Sequence, residues 1–183
     1  MLSSYLTAHC APTLAAMKSA SLFRFRISNH NDLFAEIRKF NNILSCKGIR
    51  ITLLSLQKDT ALIYVYRPKQ LQAELMRPDV QNFLQQYGYH PSFSLAQYLT
   101  HLRNRMNQKD FPHEIGVFLS YPLSDVIAFI ENHGQNSCCT GCWKAYGNPV
   151  ACQKLFSKFK KCTKIYCRLF AEGRSLEQMT VAA

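Results

Sequence analysis

Three thiols fall within five residues in the stretch Cys138-Cys139-Thr140-Gly141-Cys142, beside Trp143, the only tryptophan of the chain. Cys139-x-x-Cys142 has the spacing of half a zinc knuckle, and Cys138-x-x-x-Cys142 also lies within ligand range. Three thiolates on one loop suit a soft centre, zinc or an iron–sulfur cluster. A structural zinc site needs a fourth ligand. His133, Cys152, Cys162 and Cys167 are the candidates. The pattern downstream sorts them. Cys152, Leu155, Phe156, Phe159, Cys162, Tyr166 and Leu169 recur at threes and fours, the apolar face of a long helix, so Cys152 and Cys162 belong to a core. Cys167 falls with Lys160 and Lys164 on the wet face and points roughly 140° away from Cys162. His133, just ahead of the loop, is the easiest fourth ligand; the alternative is a second copy of the chain in a homodimer. A thioredoxin-type redox pair would want a helix N-terminus to lower its thiol pKa, and no helix is expected before about Asn148. The plain alternative is packing beside Trp143.

A second candidate lies in "HCAPTL". If Pro12 opens a helix, Cys10 sits at its positive end, where a thiol becomes reactive. His113, in "FPHEIGVFLSYP", could serve Cys10 as base in a cysteine-dependent enzyme. Glu114 is adjacent, but neighbours on a strand project to opposite faces. Tyr121, Ser124 and Asp125 fall where a strand passes into a helix, a place where α/β sheets often bind ligands, and capping is the simpler role for Ser124 and Asp125.

The third candidate is electrostatic. Lys plus Arg number 22 against 11 Asp plus Glu, a net +11. Lys154, Lys158, Lys160, Lys161, Lys164 and Arg168 lie mostly opposite the apolar face of the last helix. They form a stripe that could bind an anionic ligand or nucleic-acid phosphates, with Lys154, Lys158, Lys161 and Arg168 as its core. The aromatics of that helix fall on the core side and offer bases no stacking platform. A solvated helix face explains the same stripe.

These residues need elements to position them. Nearly half of the 183 residues are hydrophobic, which excludes disorder and allows a real core. No basic leader precedes Lys18, and no window approaches the roughly 18 apolar residues of a membrane span. The expectation is a cytoplasmic protein without membrane contact, its cysteines reduced. Helices are expected near residues 2–9 and from Pro12 to about Lys18. "LFRFRI" alternates as a half-buried strand. Asn31 caps a helix ended by Gly48. "IRITLLSL" and "ALIYVY" form a hairpin across "QKDT". Pro68, Pro78 and Ser94 open three helices. "EIGVFLSY" reads as an apolar strand and "PLSDVIAFIEN" as a helix. "WKAY" is a short strand, and the last helix runs from Asn148-Pro149 to about Ala171. The tail "SLEQMTVAA" adds a final strand. Residues 1–183 thus read as one mixed α/β domain, with α+β the variant, helices packing on a mixed sheet of about five strands.

The stretches "HCAPTLAAMKSASLF", "FPHEIGVFLSYPLSDVIAFIENHG", "GCWKAYG" and "KKCTKIYCRLFAEGRSL" resemble an uncharacterised bacterial family, a domain of unknown function, over nearly the whole chain. The resemblance implies no reaction. It does imply that some relatives lack a thiol at the position of Cys142. A shared function would then rest on Cys10, Lys18, His113, Glu114 and Lys144. The metal, anion and cysteine-enzyme readings all stay open at this level.

Overall fold

The computed structural model describes residues 1–182. The chain opens on helix α1 (Leu2–Leu14), which gives strand β1 (Ala20–Arg26) and then helix α2 (His30–Leu44). A hairpin of β2 (Arg50–Leu56) and β3 (Thr60–Tyr66) leads to helices α3 (Pro68–Leu75), α4 (Pro78–Gln85) and α5 (Leu95–Met106). Two short helices, α6 (Ile115–Phe118) and α7 (Leu123–Glu131), precede a two-stranded ribbon, β4 (Cys139–Thr140) with β5 (Lys144–Ala145). Helix α8 (Pro149–Ala171) and a last turn, α9 (Leu176–Met179), complete the fold.

The architecture is mixed α/β. The five strands divide into a three-stranded sheet of order β1-β3-β2 and the separate β4–β5 ribbon. Both are antiparallel, so the expected mixed sheet is not formed. Phe23 pairs with Ile63, and Ile51 with Val65. Alternation along these strands sends Phe23, Ile51, Ala61, Ile63 and Val65 to one face, where they meet α1, α2 and α8. Leu22, Leu54, Tyr64 and Tyr66 point the other way, into a second core built with α3 to α7. The sheet is therefore buried on both faces, between two helical layers.

Several elements follow their local signals. Asn148 accepts hydrogen bonds from the amides of Val150 and Ala151, and Pro149 takes the first turn, so α8 starts where cap and proline direct it. Phe159, Cys162 and Tyr166 turn inward, as their spacing requires. Gly88 adopts a left-handed φ of 84° just past α4.

Other elements depart from expectation. "EIGVFLSY" contains the helix α6, all four of whose residues are buried. A run that is apolar on every side carries no period, so strand and buried helix look alike. Residues 2–14 form one helix with Pro12 inside it. The tail makes α9, with Ser175 and Gln178 forming a capping box, instead of a strand. Asn29, not Asn31, caps α2 by accepting from the Asn31 amide at 2.9 Å.

The C-terminal end of α1 is held by Arg67, a buried guanidinium. Its Nε donates to the Thr13 carbonyl at 2.7 Å, and its Nη2 donates to those of Leu14 at 2.8 Å and Val181 at 2.7 Å. Nη1 reaches the Lys47 carbonyl at 3.2 Å. One cation thus adds a second donor to the last carbonyls of the helix, which also accept from the amides of Ala16 and Val181, and ties the segment at Val181 to it. This contact orients the turn that carries Lys18.

Candidate functional site

Lys18 lies in the turn between α1 and β1. Ala16, two residues earlier, has a left-handed φ of 57°, a conformation that Cβ sterics disfavour. Opposite it, Ser120 has a φ of 60° between α6 and Tyr121. The two turns are joined: the Ser19 amide donates to Ser120 Oγ at 2.9 Å, and the two hydroxyls bond to each other. Tyr64, beneath them, donates to the Phe118 carbonyl at 2.6 Å and fixes α6 on the sheet.

From these anchors the aromatic wall is built. Tyr121 stacks on Trp143 with ring centroids 4.9 Å apart, and Trp143 meets Phe156 of α8 edge-on at 4.6 Å. Asp125, buried in α7, accepts from Trp143 Nε1 at 2.8 Å. Its other oxygen accepts from the amides of Tyr146 at 2.8 Å and Gly147 at 3.1 Å. It clamps the ribbon and does not cap α7. Gly141 passes so close to Phe156 that a Cβ there would stand 2.2 Å from the ring.

Two cavities meet along this wall. One, of about 260 Å³, lies between α6, α7 and the ribbon, with Ile115, Val126, Phe129 and Trp143 among its walls and His113 and Lys144 at its edge. The other, of about 310 Å³, is bordered by His9, Pro12, Lys18, Ser21 and Phe159. Leu22, Leu119, Tyr121 and Cys142 line both. Together they are a cleft in which an apolar cavity adjoins a more polar one that holds Lys18, His9 and Ser21, and apolar walls with a few polar groups are what small molecules bind.

Lys18 is the charged group of the second cavity. Its Nζ lies 5.4 Å from the Tyr121 ring centroid and 6.0 Å from that of Phe159. No carboxylate pairs with it among the described residues. Burial pulls its pKa from the usual 10.5 down to about 8, against the smaller opposing electrostatic influence of Cys142 and Cys10. Burial likewise pushes the Cys142 thiol upward, and the Tyr121 hydroxyl up to about 12. Lys144 differs from Lys18 in having a partner, the Gly134 carbonyl at 2.7 Å.

The residues singled out from sequence are placed as follows. Cys10 is wholly buried on the inner face of α1, three residues before Pro12's turn ends the helix, and not at a helix start. Burial raises its pKa far above the usual thiol range, the opposite of nucleophile activation. His113 stands on the other cavity, packed on Phe129 with centroids 5.1 Å apart. Glu114 turns away from it, buried, and binds Arg105 and, at 3.4 Å, the Tyr89 hydroxyl. The loop thiols are divided. Cys142 faces Lys18, whereas Cys138 and Cys139 lie near enough to Cys152 of α8 to raise its pKa, after burial and Asp125. Cys138 donates to the Tyr146 carbonyl at 3.4 Å. His133 is exposed, in a left-handed turn with φ 49°. Among the described residues no three His, Cys, Asp or Glu side chains come together as a ligand set. Lys154, Lys158, Lys161 and Arg168 line the exposed face of α8 as expected, with Arg168 3.7 Å from Glu172. No helix among the described residues is long and apolar enough to cross a membrane.

The reading from sequence named Lys18 through the family resemblance alone. Tyr121, Asp125 and Arg67 acquire their roles only in three dimensions. The one local signal for the wall is the lone tryptophan, whose indole N–H needs an acceptor when buried.

Fold and cleft define an α/β protein with an aromatic-walled cavity and a half-buried lysine. The family described as "Protein of unknown function (DUF3793)" matches residues 6–180, and the chain belongs to it. No curated protein and no solved structure matches the chain.

Proposed function

We propose that this is a small-molecule-binding protein whose ligand has a compact apolar body and an electron-rich oxygen group that meets Lys18. The observation that carries this is the Lys18 ammonium itself, held against two aromatic rings and, among the described residues, without a carboxylate partner. A cation so placed lacks part of its hydration. An anionic oxygen from a ligand supplies what the protein does not. The apolar walls set the rest of the ligand, and the volume favours a body about the size of one aromatic ring.

The test uses Trp143, a single reporter on the wall. Sodium benzoate quenches or shifts its emission saturably, benzyl alcohol does so more weakly, and Lys18→Met abolishes the preference for the acid. No saturable change with benzoate, or one that Lys18→Met leaves intact, overturns the reading.

A second reading is thiolate binding of zinc or an iron–sulfur cluster. Cys138 and Cys139 neighbour Cys152 electrostatically, but no three ligand side chains come together among the described residues, so a second copy of the chain would have to complete the set. Anaerobic purification with metal analysis decides it. Stoichiometric zinc or iron lost in a triple Cys138, Cys139 and Cys152→Ser variant supports it; metal content indifferent to that change refutes it.

A further inference from the structure

We infer that Lys18 captures carbonyl compounds covalently: the cleft takes an aldehyde with an apolar body and joins it to Nζ as an imine. The inference rests on the reading of the cleft as a small-molecule site and names the chemistry of its ligand.

Three features of position carry it. Lys18, half-buried, lines the cavity with Leu22 and Leu119, and its Nζ lies 5.4 Å from the Tyr121 ring on the same wall, so a carbonyl compound in the cavity lies beside the amine. The amine has no ion-pair partner among the described residues, so no salt bridge must be broken before it attacks. Its backbone is held by strained geometry on both sides, a left-handed Ala16 and a left-handed Ser120 joined through Ser19. Such strain persists where surrounding structure over-determines it and clusters at functional positions. Burial adds to this by keeping a share of the amine uncharged near neutral pH, which an exposed lysine does not do.

The step balances without oxidant or reductant. The lone pair of neutral Lys18 Nζ forms the N–C bond as the carbonyl π pair moves to oxygen. That oxygen takes a proton to give a carbinolamine. A second proton lets it leave as water while the nitrogen lone pair forms C=N. Both protons come, in net, from the amine. Solvent relays them from nitrogen to oxygen, while the Tyr121 ring, whose hydroxyl donates to the Cys142 carbonyl at 3.2 Å, stands 5.4 Å from Nζ as a fixed wall.

Reductive trapping tests the inference. The native protein is incubated with benzaldehyde and cyanoborohydride at neutral pH, and benzylated lysines are located by peptide mass mapping. Lys18 labels at least about tenfold faster than the exposed Lys154 and Lys158, because the free-amine fraction rises about tenfold for each unit that a pKa falls toward ambient pH. Labelling of Lys18 at or below the rate of those lysines overturns it. Benzoate binding, read at Trp143, is followed in parallel. Benzoate bound with no selective trapping refutes the imine and leaves the anion site. Selective trapping with no benzoate response upholds the imine and refutes the anion preference. Neither signal refutes both.

Discussion

Lys18→Met should stabilise the protein at neutral pH while removing its ligand. Methionine keeps an unbranched apolar stem and deletes the ammonium. In the unfolded chain Lys18 titrates near 10.5, and in the fold near 8. At about 1.4 kcal/mol per tenfold change in the proton equilibrium, that difference corresponds to roughly 3 kcal/mol held against folding below pH 8. Lys18 is partly open to solvent, which screens the effect, so we expect about 1–2 kcal/mol of stabilisation in the variant. For a chain of this size that is a rise in Tm of about 2–8 °C. The sign with pH follows from proton counting. Between pH 8 and 10.5 the unfolded chain binds more protons at this site than the folded one, so wild-type stability gains on the variant as pH rises through that window. Scanning calorimetry or urea unfolding at pH 7, 8.5 and 10 measures it. The gap between variant and wild type is widest at pH 7 and closes by about pH 10. Cys10, Cys142 and Tyr121 titrate in both proteins and largely cancel in the difference. A variant less stable than wild type at pH 7, or a gap that ignores pH, would show that Lys18 is not a destabilised cation and would remove the physical basis of the ligand reading.

Three further outcomes are expected. Arg67→Met removes a donor from four carbonyls, of which Thr13 and Leu14 keep the amides of Ala16 and Val181 while Lys47 and Val181 lose the guanidinium, and should cost about 2–4 kcal/mol; urea unfolding that shows less than about 1 kcal/mol would refute the anchoring role. Gly141→Ala drives a methyl into Phe156 and should cost about 1–3 kcal/mol, with a changed near-ultraviolet circular dichroism signal from Trp143; an unaltered spectrum at full stability would contradict the close approach. Native alkylation with iodoacetamide, mapped by mass spectrometry, should modify exposed Cys46, Cys138, Cys142 and Cys167 while Cys10 stays unmodified until unfolding; rapid modification of Cys10 would revive a cysteine nucleophile.

What was legible in the sequence is what local periodicity and caps encode. Asn148-Pro149 and the inward run of Phe159, Cys162 and Tyr166 specified α8 to its ends, because cap, proline and apolar face all lie within the helix itself. The β2–β3 hairpin and the alternation of β1 were readable for the same reason. The helix α6 was not, since its four residues are buried on every side and leave no period to read. Pro12 misled in the same region: a proline near the end of α1 is tolerated because Arg67, 54 and 53 residues from the Thr13 and Leu14 carbonyls that it binds, stabilises that helix end.

The cysteine loop shows the same division at the site. Sequence set three thiols in five residues, and spacing alone drew them as one ligand set. The fold separated them, turning Cys142 toward Lys18 and leaving Cys138 and Cys139 beside Cys152. The sequence by itself determined the elements with a clear period or cap, such as α8, β1 and the β2–β3 hairpin, together with the basic outer face of α8 and the presence of one tryptophan. The tertiary structure alone decided that Lys18 faces an aromatic cleft, that Asp125 clamps the wall and that Cys10 is sealed in the core. Those outcomes depend on contacts between residues far apart in the chain, and a lysine's charge state is set by the dielectric and the charges around it, which no local pattern records.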